Sequence, residues 1–312
     1  MMKKNLLVTG VSGLLGSNLA YVLKDKYRIL GLYHAHEVMI KGVQAQKADI
    51  LSPDSVRSAL VSFDPDAVIH CAANADVDDC EDHRDLAAEV NIIGTKTIVD
   101  CLKDCRAKLI YISTDSVYDG IKGHFSENDS VDPPNYYGIT KHKGEQEALK
   151  HGNALIARTN FIGWNVGDKL NLAEWVMDAL LGKKQINGFT DIQFSPIYTF
   201  ELAKLLDQAI AKDLKGVYNF AGCGSLTKYE FACLLAKKFN LDSSLIKPIS
   251  VEEHAFKARR GKNLSLNTNK LARDLGVLIP TVEESIDLFV KDYNNGILQE
   301  LKSTNRLAKR RR

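Results

Sequence analysis

The chain lacks the cysteine patterns of a disulfide scaffold or a zinc site. Its six cysteines (Cys71, Cys80, Cys101, Cys105, Cys223 and Cys233) contain no CxxC pair and no His-Cys ligand spacing. This argues against a cross-linked secreted fold and predicts reduced thiols in a cytoplasmic protein. Nucleophile-elbow and zinc-protease motifs are missing as well. The acidic stretch Asp76, Asp78, Asp79, Glu81, Asp82 and Asp85, with His83, has no recognisable ligand spacing, so a solvated loop is expected and no metal. An excess of one charge is also lacking: 41 basic against 39 acidic residues leave +2, with no global attraction to nucleic acid or a membrane surface. The one basic run, Arg306, Lys309, Arg310, Arg311 and Arg312, reads as a solvated tail. No long apolar run follows Met1-Met2-Lys3-Lys4, because Gly10, Ser12, Gly13 and Gly16 break it, which argues against a secretory signal or membrane helix. Only 7 prolines, with 45% hydrophobic and 26% charged residues, fit an ordinary globular protein and neither disorder nor a fibrous repeat.

What is present is an alternation of short β-branched runs with amphipathic segments. Asn5 to Thr9, Arg28 to Tyr33, Ala67 to Cys71 and Lys108 to Ser113 read as strands. Helices are expected from about Leu14 to Lys26, from Ser52-Pro53-Asp54 onward with Ser52 as cap, and from about Asp85 to Leu102. The pattern predicts an α/β fold, a doubly wound parallel sheet of the Rossmann type with a smaller C-terminal substrate lobe. Residues 1–160 are assigned to the dinucleotide-binding domain, rejoined by about 188–220. Residues 161–187 and 221–300 are assigned to the lobe, and 301–312 to the basic tail.

Gly10-Val11-Ser12-Gly13-Leu14-Leu15-Gly16 lies between the first strand and the first helix. In a parallel sheet this turn offers helix N-terminal amides to a pyrophosphate, so Gly10, Ser12, Gly13, Leu14, Leu15 and Gly16 are candidate cofactor contacts. Tyr137 and Lys141 are four residues apart and share one face of a predicted helix. An ammonium beside a phenol should lower the phenol's pKa towards neutral and equip it to donate a proton to an oxygen gaining charge. Tyr136 is one residue out of that register. Ser113-Thr114-Asp115 leaves the carboxyl end of a strand, where a doubly wound fold places its ligand.

The G-x-x-G-x-x-G spacing resembles the extended short-chain dehydrogenase/reductases. An acidic residue ending the second strand would bind the ribose diol of NAD, whereas Tyr33-His34 stands there. NADP(H) is therefore the expected cofactor, with His34 or Lys41 near the 2′-phosphate and NAD(H) as the alternative. Further motifs narrow the likeness to the dTDP-4-dehydrorhamnose reductases, over about residues 3 to 290. They are His70-Cys71-Ala72-Ala73, Ser113-Thr114-Asp115 with Tyr118-Asp119-Gly120, Tyr137 to Lys141 with Gly144-Glu145, Arg158-Thr159, Gln193 to Pro196, and Arg260 with Asn263.

The resemblance implies reduction of the C4 ketone of a nucleotide-linked 4-keto-6-deoxy sugar. Tyr137 would protonate the alkoxide, Lys141 would hold the nicotinamide ribose, and Thr114 would orient the carbonyl. It also implies cofactor contacts at Asp49, Ile50, Cys71, Ala72, Ala73 and Asn91, and substrate contacts at Asp115, Val117, Arg260 and Asn263. Gly261 replaces the usual proline after the arginine, and the usual tryptophan near Arg158-Thr159 is displaced to Trp164. The motifs therefore specify the reaction class more closely than the sugar. The same motifs, and Thr227-Lys228-Tyr229-Glu230, resemble the regulatory β subunits of methionine adenosyltransferase, which implies a dinucleotide-binding partner protein instead. Dehydratases of this fold place an acidic pair after the threonine, and Asp115-Ser116 does not supply one; an epimerase is the other alternative. The expected partner is a nucleotide sugar, with a homodimer allowed and neither nucleic acid nor membrane required.

Overall fold

The computed structural model describes residues 3–309, without the side chains from 304 onward. The basic run from Arg306 to Arg312 accordingly lies outside the described residues and side chains. The chain opens with β1 (Asn5–Thr9), α1 (Leu14–Leu23), β2 (Arg28–Tyr33), β3 (Gln44–Lys47), α2 (Pro53–Phe63) and β4 (Ala67–His70). Next come α3 (Val77–Asp82), α4 (Arg84–Ala88), α5 (Gly94–Leu102), β5 (Lys108–Thr114), α6 (Tyr136–Leu149) and β6 (Ala154–Thr159). Ser52 caps α2 by accepting from the Ser55 N–H, with Pro53 in the first turn, as its sequence predicts. The expected helix from Asp85 to Leu102 is instead broken by a π-helical turn, Glu89–Ile93. The wider turn lets buried Asn91 bond inward to the Asn74 backbone and to Thr140, so packing replaces regular helix geometry here.

The remainder comprises β7 (Phe161–Ile162), α7 (Leu172–Leu181), β8 (Ile186–Phe189), β9 (Gln193–Phe194), β10 (Ile197–Tyr198), α8 (Thr199–Ala211) and β11 (Gly216–Phe220). It ends with β12 (Leu226–Thr227), α9 (Lys228–Lys238), β13 (Ile246–Ile249), β14 (Asn263–Leu264), α10 (Asn269–Leu275), α11 (Val282–Asn294) and α12 (Ile297–Lys309). Seven parallel strands form one sheet in the order β11-β6-β5-β4-β1-β2-β3. Both faces are covered, which is why β4 and β5 are buried along their whole length, the polar ends His70, Lys108, Ser113 and Thr114 included. The strand order reverses between β1 and β4, so a crevice opens at their carboxyl ends. Beside this sheet, β8 pairs with β13, and β9 pairs with β12 and β14. No helix among the described residues is long and apolar enough to cross a membrane.

Helix α6 is held unusually. Its inward face is Gly138, Thr140, Lys141, Gly144, Glu145 and Ala148, with almost no large apolar side chain. Close approach replaces apolar burial: a Cβ on Gly138 or Gly144 would overlap the Ser116 carbonyl or the Tyr111 hydroxyl. A buried ion pair fixes the rest. Arg158 of β6 donates to both oxygens of Glu145, at 2.9 and 2.7 Å, and Ser113 of β5 adds a third bond at 2.5 Å. The fourth tie runs from Arg158 Nη1 to the Tyr118 hydroxyl at 2.8 Å. Burial would raise the Glu145 carboxyl, but Arg158, His142 and Ser113 together hold it below its ordinary value.

Replacing one partner of such a pair leaves a desolvated charge. Glu145→Gln should therefore lower unfolding stability at neutral pH by roughly 3–5 kcal/mol. The carboxyl titrates below its unfolded value, so its contribution is present above that value and is lost as pH falls through the folded one. Urea unfolding should thus show the gap between wild type and variant closing in acid. A gap that is small at neutral pH, or one that widens in acid, would refute this account.

Candidate active site

A cleft of about 1180 Å³ opens at the carboxyl ends of β1, β4, β5 and β6. One wall is the glycine turn, contributing Gly10, Ser12, Gly13, Leu14, Leu15 and Gly16. Gly10 has φ +67°, and a Cβ on it would press on the Ala72 backbone at 2.8 Å. Gly13 caps α1 with no side-chain bond, and the first turn holds no acidic residue. Its amide donors are therefore available to an anion in the cleft, and a dinucleotide pyrophosphate fits this cradle.

Cys71 and Ala73 continue this wall beyond β4, while Ala72 lies behind the turn and donates its N–H to Thr9. Burial pushes the Cys71 thiol up to about 12, so it stays protonated. At the β2 end the lining residues are Ala35, His36, Glu37 and Val38, and Tyr33, His34 and Lys41 are not among them. Tyr33 ends its strand half-buried, accepting from the Ala48 N–H at 2.8 Å, and the chain bends before it reaches the cleft. A carboxylate, Glu37, lines this end of the cleft three residues beyond Tyr33-His34. Asp49 and Ile50 also lie off the cleft: Asp49 accepts from the Leu51 N–H, and Ile50 packs against Gly94.

The reactive groups meet at the other end, where the cleft is lined by Thr114, Asp115, Ser116, Tyr137, Thr159 and Asn160. Thr114 ends β5; its hydroxyl accepts from the Ser116 N–H and donates to Asp115 Oδ1, both at 3.1 Å. Asp115 is buried and also takes a bond from Asn160 at 2.8 Å; burial keeps its carboxyl above the ordinary value. The Tyr137 phenol interacts with Thr114, and burial raises its pKa well above that of a free tyrosine despite that bond.

The expected lowering of this phenol by Lys141 is not found. Lys141 is 3% exposed, its Nζ donates to the Ile112 carbonyl at 2.7 Å, and it lies 4.1 Å from the centre of the Tyr111 ring. Burial brings the ammonium itself down to about 7. Tyr137 is thus a firmly protonated donor rather than a standing phenolate. Tyr136 faces elsewhere, with its N–H on Glu81 and its ring under Arg84.

Other expected contacts are placed differently. Asn91 reaches α6 at Thr140, next to Lys141, and does not line the cleft. Val117, expected at the substrate, is fully buried in a separate core cluster with Tyr118, Phe125, Ala221 and Leu266. Arg260 pairs with Asp78 at 2.8 Å and lies over the Phe256 ring, lining a smaller cavity of about 390 Å³. Asn263 accepts from Ser265 and packs against Gly123, so it fastens a loop and does not face the large cleft. The acidic stretch is a joint: Asp76 caps α3 and reaches Lys169, Asp78 holds Arg260 and the Ala258 N–H, and Asp82 pairs with Lys257.

Sequence reasoning missed Asn160, Glu37, Asp76, residues 165–171 and Lys302, all of which line the cleft. Asn160 was within reach, since it follows directly on a strand's carboxyl end. Nothing in the local sequence marks Lys302.

Comparison with known proteins follows this geometry. The chain is 30% identical over 283 residues to methionine adenosyltransferase 2 subunit beta of Danio rerio, spanning 86% of this chain and 84% of that protein. It is 29% identical to a probable low-salt glycan biosynthesis reductase of Haloferax volcanii, over 92% of this chain and 99% of that one. Among solved structures it superposes on a dTDP-4-dehydrorhamnose reductase from Bacillus anthracis, in complex with NADP, with a TM-score of 0.83 and 29% identity, covering 93% of this chain and 100% of that chain. Residues 2–295 match the model of the RmlD substrate binding domain, and the chain belongs to that family.

Proposed function

We propose that the protein reduces the C4 ketone of a nucleotide-linked 4-keto-6-deoxy sugar, with NADPH as the preferred cofactor and NADH as the alternative. The observation carrying this reading is that a protonated Tyr137 and the Thr114 hydroxyl share one cleft with an uncapped glycine turn. A nicotinamide dinucleotide held on that turn supplies the hydride. The remaining steps belong to the chain. Tyr137 Oη gives its proton to the carbonyl oxygen as charge develops there. Thr114 turns its O–H from Asp115 to the same oxygen, while Asn160 and Ser116 keep Asp115 satisfied. Lys141 lies behind Tyr137 and does not itself line the cleft; it is assigned to the nicotinamide ribose on the two Nζ donors left beside the one on Ile112. Residues 161–187 and 221–300 are assigned to the sugar-nucleotide side.

A second reading, a dinucleotide-binding regulatory subunit, draws support from the 30% identity to methionine adenosyltransferase 2 subunit beta. Assays of NADPH oxidation against a panel of dTDP-, UDP- and GDP-linked 4-keto sugars separate the two. Binding of NADPH without turnover of any of them would favour the second.

Tyr137→Phe should retain fold and cofactor binding yet slow single-turnover reduction by about 10² to 10⁴. Tyr136→Phe should change little. A wild-type rate in Tyr137→Phe would sink the proposed mechanism.

Cofactor choice should show in titration as tighter binding of NADPH than of NADH. We assign the 35–38 end of the cleft to the adenosine ribose, so Glu37→Gln should strengthen NADPH binding selectively by removing a like charge near the 2′-phosphate. A wild-type preference for NADH would reverse this assignment.

Lys141 gives a pH test. Its folded pKa of about 7 lies below its ordinary 10.5, so the unfolded chain binds the extra proton between these values and wild-type stability rises with pH across that window. Lys141→Met removes this dependence. Its thermal stability relative to wild type should be most favourable below pH 7, with the difference declining as pH approaches 10. A pH-independent difference would contradict the depressed ammonium.

A further inference from the structure

The matched family region ends at residue 295, and α12 starts two residues later. This helix is not a loose appendage. Leu301 is 3% exposed within the main core, and Ile297 and Leu298 pack against that core. Glu300 accepts from the Tyr21 hydroxyl at 2.7 Å and lies 4.0 Å from Lys24. Tyr21 lies in the last turn of α1 and Lys24 is its C-cap, so this tie is made at the end of the helix opposite the glycine turn. The next residue after the Leu301 anchor, Lys302, lines that cleft.

Its surroundings fix which part of the cleft it serves. Lys302 lies close enough to Glu174 to act on that carboxyl electrostatically, and Glu174 accepts the N–H of Asn165. Asn165 begins the lip formed by residues 165–171, and Asn18 of α1 holds the preceding Trp164 carbonyl at 2.8 Å. This is the side where the lip meets α1. Two lysines line the cleft. Lys169 is engaged by Asp76 at 3.2 Å, whereas Lys302 makes no ion pair within 4 Å among the described residues. Glu37, Asp76, Asp115 and Asp168 also line the cleft.

We propose that Lys302 is a phosphate-binding residue of this cleft, that it contacts the diphosphate bridge of the dinucleotide, and that α12 is a working part of the cofactor site. The inference rests on the reading that the cleft takes a dinucleotide. Lysine suits the task as a point charge on a flexible stem, reaching a phosphate from a rim without a fixed fork geometry.

Fluorescence titration of NADPH and NADH into wild type, Lys302→Met, Lys302→Glu and Lys302→Arg tests it. Both cofactors carry the diphosphate, so Lys302→Met should weaken both by about tenfold, the scale of one charged hydrogen bond. Lys302→Glu should weaken both further, and Lys302→Arg should stay near wild type. The dissociation constant should also rise less steeply with salt in Lys302→Met than in wild type. Wild-type affinity in Lys302→Met overturns the assignment while leaving the dinucleotide cleft in place. Loss confined to NADPH would move the lysine to the 2′-phosphate and overturn the diphosphate contact. Failure of the wild-type protein to bind either dinucleotide would remove the cleft reading and this inference together. Circular dichroism of the variants separates a lost contact from a lost fold, and retained affinity in Lys302→Arg alongside loss in Lys302→Met is not expected of a merely structural side chain.

Discussion

The buried pair between Arg158 and Glu145 is the constraint on which the reactive end depends. Three elements must agree for Tyr137 to face Thr114: the end of β5, the first turns of α6, and the end of β6. Glu145 lies two turns along α6 from Tyr137; it accepts from Ser113, the neighbour of Thr114, and from Arg158, the neighbour of Thr159. One carboxylate thus sets the register of all three. An apolar face cannot do this as tightly, because α6 has little apolar face, and its glycines bring its backbone against Ser116 and Tyr111. A desolvated, bidentate, three-partner contact tolerates little sliding. The cost of burying the charges is thereby exchanged for a fixed distance between two hydroxyls.

The same dryness decides which groups hold protons. Burial raises Tyr137 and Tyr111, lowers Lys141 to about 7, and lowers His70 to about 3, so the imidazole between Thr9 and Thr95 is neutral. A phenol that keeps its proton is suited to donation, the direction a reductase needs. The expectation that a lysine four residues on would create a phenolate assumed that helical spacing brings the two charges together. In the folded chain Lys141 is turned to the Ile112 carbonyl and the face of Tyr111, and desolvation outweighs any pairing.

That contrast marks what a single sequence discloses. The β1-turn-α1 unit, the Ser52-Pro53 helix start and the parallel sheet were legible because strand periodicity and capping are local. Thr114 and Tyr137 were legible chiefly through the family resemblance, Thr114 also because it leaves the carboxyl end of a strand and Tyr137 because Lys141 follows it by four residues. Residues whose placement depends on a distant surface were not legible. Val117 reads like a neighbour of Thr114, yet it closes a core cluster with Phe125 and Leu266. Asn91 sits in an expected helix, but contacts with Asn74 and Thr140 favour a π turn there. Glu37 enters the cleft because the chain bends after β2, three residues beyond the position inspected for a carboxylate. Lys302 lies 289 residues from Gly13 in sequence, and only the Leu301 anchor and the Glu300 tie to α1 bring it to the same cleft.

The acidic stretch, which composition alone makes a solvated loop, ties the 257–260 segment to the rim of the cleft. Asp76, Asp78 and Asp82 reach Lys169, Arg260 and Lys257, so successive carboxylates of α3 hold the cleft lip and the lobe segment 257–260. Glu81 of the same helix receives the Tyr136 N–H, and Asn135, the cap of α6, donates to the Arg259 carbonyl. The start of α6, the cleft lip and the 257–260 segment therefore share one joint. Its ion pairs are at least partly exposed, each contributing only about 0–1 kcal/mol and open to screening by salt. The centre is different: Arg158 and Glu145 are shielded from water and resist displacement. A rim of weak, screened contacts around a dry and rigid centre lets the cleft lip yield while the distance between Thr114 and Tyr137 stays fixed. The physical division between exposed and buried charge thereby separates a rim that can move from a centre that cannot.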